Sequence, residues 1–180
     1  MGARVAGWGE WQPHQSGVGR CLQSELPHAD GSFDAVLALE CAFAFPSRAR
    51  FFQQARRVLR PGGTLALCDF VLARGFAALW KQVEERMQPA IARSYGQLPA
   101  RFCSLADYCE LARQAGFELH HTEDITRNTL PTYSAINPLL RRNGDSTTYR
   151  ASRGLAAITR LRLLRYAILS WQWAGPEKPV

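Results

Sequence analysis

The strongest pattern in the chain lies between Leu26 and Phe70. Phe33-Asp34-Ala35-Val36-Leu37-Ala38-Leu39-Glu40 and Thr64-Leu65-Ala66-Leu67-Cys68-Asp69-Phe70 are short apolar runs with an acid at or near the end of each. A helix-length segment closed by Pro61-Gly62-Gly63 separates them. Each run is apolar at consecutive positions, as in a strand covered on both faces. A helical crossover makes two such strands parallel. Glu40 and Asp69 then project from the strands' carboxyl ends, the edge at which open α/β sheets bind ligands.

The connecting segment carries one apolar stripe at helical spacing, Phe51, Phe52, Ala55, Val58 and Leu59, with Arg48, Gln53, Gln54, Arg56 and Arg57 elsewhere. Pro46-Ser47 starts this helix. Arg56, Arg57 and Arg60 complement its dipole, and the Pro-Gly-Gly turn stops it. Leu26-Pro27 and Ala29-Asp30-Gly31-Ser32 form a turn before the first strand. Downstream, Phe76, Leu79, Trp80, Val83 and Met87 predict a second amphipathic helix, disturbed at Pro89. Ser104 with Asp107 is a capping-box pattern, Leu105, Tyr108, Cys109, Ala112 and Ala115 are the stripe behind it, and Gly116 is the left-handed terminus. Phe117–Ile125 reads as a strand, Pro131–Leu140 as a short helix, Ala151–Leu164 as a basic amphipathic helix and Tyr166–Trp173 as a last strand. Residues 1–24 show neither period and read as irregular. Gly17-Val18-Gly19 does not sit between a strand and a helix, as a phosphate loop would.

Composition narrows the class. A chain of 180 residues, 47% of them hydrophobic, suits one domain with a real core. Cys21, Cys41, Cys68, Cys103 and Cys109 form no C-x-x-C pair and sit mostly in apolar runs, so buried thiols are expected rather than disulfides or metal ligands. That usage fits a reducing compartment. No apolar stretch approaches the roughly 20 residues of a membrane span, and the N-terminus lacks the order of a signal peptide. The expectation is a cytoplasmic protein without membrane association. Of the net charge of +7, six lie between Arg141 and Arg165, where seven arginines face one acid, Asp145. Such a cluster is a solvated helix face or a patch for phosphates or an anionic membrane. No aromatic residues interleave it in a nucleic-acid-binding motif, so no nucleic-acid partner is expected. His14, His28, His120 and His121 read as structural.

Leu26-Pro27-x-x-Asp30-Gly31-Ser32-Phe33-Asp34, Ala38-Leu39-Glu40 and Val58-Leu59-Arg60-Pro61-Gly62-Gly63-x-Leu65-Ala66-Leu67-x-Asp69 together resemble the second half of a class I S-adenosylmethionine-dependent methyltransferase. Ala115-Gly116-Phe117-Glu118 and Glu123-Asp124-Ile125 resemble the segment leading into that fold's sixth strand. The resemblance covers residues 25–175 and is strongest to enzymes that modify sugars, macrolides and related metabolites. It implies an α/β fold: a partial Rossmann-like sheet made of strands four to seven of the order 3-2-1-4-5-7-6, the last antiparallel, flanked by helices. Residues 25–180 would form this partial domain, with 74–102 and 127–165 as helical acceptor-binding or lid insertions.

The implied cofactor is S-adenosyl-L-methionine, with Glu40, Cys41 and Ala42 near its methionine portion and no metal. Asp69 occupies the position of a catalytic carboxylate that works with a histidine in related sugar O-methyltransferases. The histidine position is Ala44 here. The family's glycine-rich loop and its ribose-binding acid have no counterpart, and its adenine-binding Asp aligns with Leu22. The implied activity is methyl transfer to an oxygen, or less readily a carbon or nitrogen, of a small secondary-metabolite-like acceptor. A hydroxyl acceptor needs a base within reach. The alternative is a non-catalytic remnant serving as an interaction module. With the family's first strand absent, Phe33–Leu39 would be a raw apolar edge. A truncated or degenerate chain that self-associates through that edge is therefore expected.

Overall fold

The two apolar runs form the parallel centre of one mixed sheet. The computed structural model describes residues 5–7, 26, 28–76, 79, 80, 82 and 102–175. Its strands are β1 (Val5–Gly7), β2 (Phe33–Leu39), β3 (Leu59–Leu72), β4 (Cys103–Ser104), β5 (Glu118–Asp124) and β6 (Leu164–Gln172). Its helices are α1 (Arg48–Val58), α2 (Leu105–Gln114), α3 (Thr126–Arg142) and α4 (Ser146–Arg160), with a 3-10 turn at Ala42–Ala44. The path through the sheet is β1-β2-β3-β6-β5. β2 pairs in parallel with β3, and β6 runs antiparallel to both β3 and β5. The last strand is thus antiparallel, as the resemblance implies. β4 adds to Val71 and Leu72, past the point where β2 pairing ends at Cys68.

Local chemistry sets the helix boundaries. Ser47 caps α1 by accepting from the Arg50 N–H at 3.2 Å. Phe51, Phe52, Ala55 and Val58 are its buried face, as the spacing predicts, but Arg48 and Gln54 are buried as well. Arg57 closes the preceding turn by donating to the Leu26 and His28 carbonyls at 2.8 and 2.7 Å and to Asp30 at 2.7 Å. Arg60 pairs with Asp34 at 2.8 Å, which gives Asp34 a structural role. Ser104 and Asp107 form the full capping box of α2, and Gly116 follows with φ +82°.

The Pro-Gly-Gly turn requires its glycines. Gly62 has φ +82°. A Cβ on Gly63 would lie 2.8 Å from the Arg60 carbonyl oxygen, 2.9 Å from Leu59 Cδ2 and 3.2 Å from the Asp34 carbonyl oxygen. Two of these neighbours are backbone and cannot yield as a side chain end can. Gly63→Ala is therefore expected to destabilise the chain by about 1–3 kcal/mol, the range for overpacking. A denaturant midpoint equal to the parent's would refute that.

Three expectations shift. The segment 1–24 is not irregular throughout, because Val5–Gly7 pairs in parallel with Ala35–Leu37. The β2 edge expected to be raw is covered there. Three residues are too few to show a period, and backbone groups along an open edge recruit a strand whatever its side chains. Secondly, α3 begins at Thr126 rather than Pro131 and carries Pro131 and Pro138 inside it. Its start is fixed by Asp124, which accepts from the Thr126 N–H at 3.0 Å and is also bonded to the Thr126 hydroxyl. Thirdly, α4 begins before Ala151, because Asp145 caps it by accepting from the Thr148 N–H at 2.9 Å. The helix expected over Phe76–Met87 lies largely outside the described residues.

The core splits across the sheet. On one face Val36, Leu65, Leu67, Leu169 and Trp171 pack against Phe51, Phe52, Tyr108 and Ala112 of α1 and α2. On the other, Leu72 and Leu164 meet Phe76 and Trp80, with Phe70, Phe102, Leu155 and Ile158 around them. Cys41, Cys68, Cys103 and Cys109 are free thiols.

Candidate functional site

At the carboxyl end of β2 the chain turns sharply. Glu40 adopts φ +50°, uncommon for a residue with a Cβ, and its N–H donates to the Cys68 carbonyl at 2.9 Å. The turn brings its carboxylate to Tyr166, whose hydroxyl donates to Oε1 at 2.5 Å. Tyr166 sits opposite Phe70 in the β3–β6 ladder and so shares a face with Cys68 and Phe70. The Phe70 ring lies 5.1 Å from Tyr166, 5.4 Å from Phe102 and 6.5 Å from Phe43. A carboxylate thus stands at the rim of an aromatic wall. Burial, and then the bond to Glu40, raises the Tyr166 pKa, so this phenol is a donor and not a base.

The second acid faces away. Asp69 falls in step with Leu65 and Leu67, so the alternation of β3 turns it under the sheet. It is fully buried. One oxygen accepts from the Tyr108 hydroxyl at 2.6 Å and the other from the Phe70 N–H at 2.7 Å. Burial pushes its pKa up to about 6, although these two hydrogen bonds and the Arg48 charge pull it down. Arg48 lies 5.7 Å over the Tyr108 ring, and its Nε and Nη2 are buried without a hydrogen-bond partner among the described residues. Burial, and then the Asp69 charge, pushes the Cys41 thiol up to about 12, which removes it as a nucleophile at neutral pH. Ala42 is buried in the 3-10 turn.

Of the expected residues, Glu40, Cys41 and Ala42 follow the end of β2, whereas Asp69 lies inside β3, three residues before its end. The expected shared crevice does not follow, since the two carboxylates reach opposite faces of β3 and only Glu40 is on an exposed residue. Sequence reasoning missed Tyr166, Tyr108 and Arg48. Arg48 carries a usable signal, because a cation in the first turn opposes the helix dipole and calls for another reason to be there. Among the described residues no cluster of His, Cys, Asp or Glu could hold a metal ion. Among the described residues no helix is long and apolar enough to cross a membrane.

A mixed α/β sheet whose parallel pair β2 and β3 carries an acid and an aromatic wall near its carboxyl edge is a Rossmann-like arrangement. Residues 12–67 match the profile of a methyltransferase domain. The 27-O-demethylrifamycin SV methyltransferase of Amycolatopsis mediterranei is 40% identical over 110 residues, 61% of this chain and 38% of that protein. A demethylmenaquinone methyltransferase of Mycobacterium sp. is 30% identical over 127 residues, 64% of this chain and 55% of that protein. Among solved structures, geranyl diphosphate C-methyltransferase from Streptomyces coelicolor aligns with a TM-score of 0.61 at 14% identity, covering 83% of this chain and 48% of the other. The cyclopropane synthase MmaA2 from Mycobacterium tuberculosis aligns with a TM-score of 0.63 at 15% identity, covering 79% and 56%. Over these residues the chain is similar to class I S-adenosylmethionine-dependent methyltransferases. It spans about two fifths to just over half the length of the curated relatives it matches.

Proposed function

We propose that the chain acts as an S-adenosylmethionine-dependent methyltransferase on a small-molecule acceptor, with oxygen as the atom methylated. The observation that carries this reading is the Glu40 carboxylate, held by Tyr166 at 2.5 Å beside Phe70 at the ligand edge of the sheet. A fixed carboxylate and aromatic faces suit a sulfonium cation. The name of the Amycolatopsis relative, an O-demethyl compound's methyltransferase, supports oxygen as the acceptor atom.

The donor group fits the described residues at its sulfonium and methionine end; the glycine loop and ribose-binding acid of the family have no counterpart in this sequence. When bound, the donor supplies the methyl group. Glu40, Cys41 and Ala42 would form the wall beside it. Tyr166 fixes Glu40, and Phe43, Phe70 and Phe102 exclude water from the reacting end. Asp69 is assigned to the acceptor side by the resemblance. Engaged by Tyr108 and fully buried, it serves in this arrangement to position α2 against β3. Residues 74–102 and 127–165 would cover the acceptor.

Calorimetric titration with S-adenosylmethionine and S-adenosylhomocysteine tests the reading. Micromolar binding is expected, and Glu40→Gln should weaken the charged sulfonium compound more than the neutral thioether. Tyr166→Phe, which frees Glu40, should weaken binding of the sulfonium compound at least about tenfold, the effect of one hydrogen bond to a charged group. No detectable heat from either compound, with the chain folded, would overturn the enzyme reading. The interaction-module reading would then stand, favoured by the cofactor contacts for which the sequence has no counterpart.

A further inference from the structure

We propose that the cleft between α3 and α4 binds a phosphate group. The cleft is about 550 Å³, within the range of small-molecule sites, and is lined by Ser134, Asn137, Pro138, Arg141 and Arg142 of α3 and Tyr149 of α4. Arg141 and Arg142 are exposed and form no ion pair among the described residues, so both guanidinium forks are available. Such forks match phosphate oxygens in pairs.

The surroundings add to this preference. Asp145, the nearby acid, is occupied in capping α4 through the Thr148 N–H. Arg150 donates to the Ser146 carbonyl at 3.2 Å, and Arg153 lies 5.7 Å over the Tyr149 ring. Arg153, over a lining residue, adds positive charge beside the cleft. The 15-residue α4 begins three residues before Tyr149 and directs the positive end of its dipole to the same place. Asn137 lines the same cleft as a neutral polar residue. Its side-chain oxygen is buried and has no hydrogen-bond partner among the described residues.

The cleft lies well along α3 from the point where that helix is tied to β6. Thr126, the first residue of α3, is held to β6 through its hydroxyl, which accepts from the Tyr166 N–H at 2.9 Å. At about 1.5 Å per residue, Asn137 and Arg142 lie roughly 16 and 24 Å farther along the helix.

The test titrates the full chain with inorganic phosphate, glycerol 3-phosphate and, separately, phosphatidylglycerol vesicles, with chloride at equal ionic strength as the control anion. Glycerol 3-phosphate is expected to bind with a Kd of about 1 mM or below. Arg141→Ala with Arg142→Ala should weaken it at least tenfold, and Asn137→Asp should do the same by placing a carboxylate in the cleft. Arg127→Ala, at the far end of α3, should leave it unchanged. Binding to vesicles alone, lost in the same double variant, would make the phosphate that of a lipid headgroup. The proposal is overturned if none of the three probes binds, if chloride matches phosphate, or if the double variant binds as the parent does. Titration with S-adenosylmethionine is unaffected by any of these outcomes, so the two readings fail separately.

Discussion

At pH 8, Asp69→Asn is expected to make the fold more stable than the parent by up to about 3 kcal/mol. An unfolded Asp ionises near 3.9, whereas burial holds the folded carboxyl up to about 6. The fold therefore favours the protonated form. Its contribution is fully present below the unfolded pKa and is lost as pH rises to the folded value, so parent stability should fall between about pH 4 and pH 6. Two pKa units at 1.36 kcal/mol each give the size of the loss. Asparagine has nearly the shape of the protonated acid. It can accept from the Phe70 N–H and donate its amide to the Tyr108 oxygen, keeping both contacts that Asp69 makes. Urea midpoints from pH 4 to pH 8 should decline for the parent and stay nearly level for the variant. A parent curve that rises across that window would show the carboxylate to be stabilised as an anion, with Arg48 as its partner. Tyr108→Phe should steepen the parent's decline, because the ionised acid then loses a hydrogen bond worth about 1.5–3 kcal/mol.

How much of this was readable in advance depended on distance along the chain. The Ser47 cap, the Ser104–Asp107 box, the Gly116 terminus and the parallel pair β2 and β3 all rest on residues within a few positions of one another, where spacing speaks directly. The orientation of Asp69 does not. Thr64 to Phe70 is apolar on both faces, so no polar–apolar alternation reveals which side each residue takes. What decides it is Tyr108, 39 residues away on α2. The Glu40–Tyr166 bond spans 126 residues and depends on β6 entering the sheet beside β3. Tyr166 read only as one aromatic residue of a last strand. Proline misled in the opposite direction: Pro131 reads as a helix start, but the Asp124–Thr126 contacts begin α3 five residues earlier. Short-range capping chemistry there outweighs the lost backbone donor of a proline.

The other large effect expected is on β6. Trp171 is fully buried, lies opposite Leu65 on β3 and Leu119 on β5, and meets Phe52 of α1 edge to face at 5.4 Å. It thus joins three strands to the helix that carries Arg48. Trp171→Ala removes the largest side chain at that junction and leaves a cavity that β-sheet backbone cannot collapse to fill, at a cost of about 3–5 kcal/mol. The indole N–H complicates the sum, since it is buried without a hydrogen-bond partner among the described residues. Losing it returns part of the cost. Trp171→Phe separates the two contributions, because it keeps the aromatic contact with Phe52 while deleting the N–H. Its loss should be below about 1.5 kcal/mol, as for a tolerated hydrophobic exchange. If the two variants unfold at the same denaturant concentration, packing is not what holds this junction. If Trp171→Phe is as damaged as Trp171→Ala is expected to be, the indole nitrogen has a partner that matters, and the sheet would owe its join to α1 to a polar contact instead of to apolar burial.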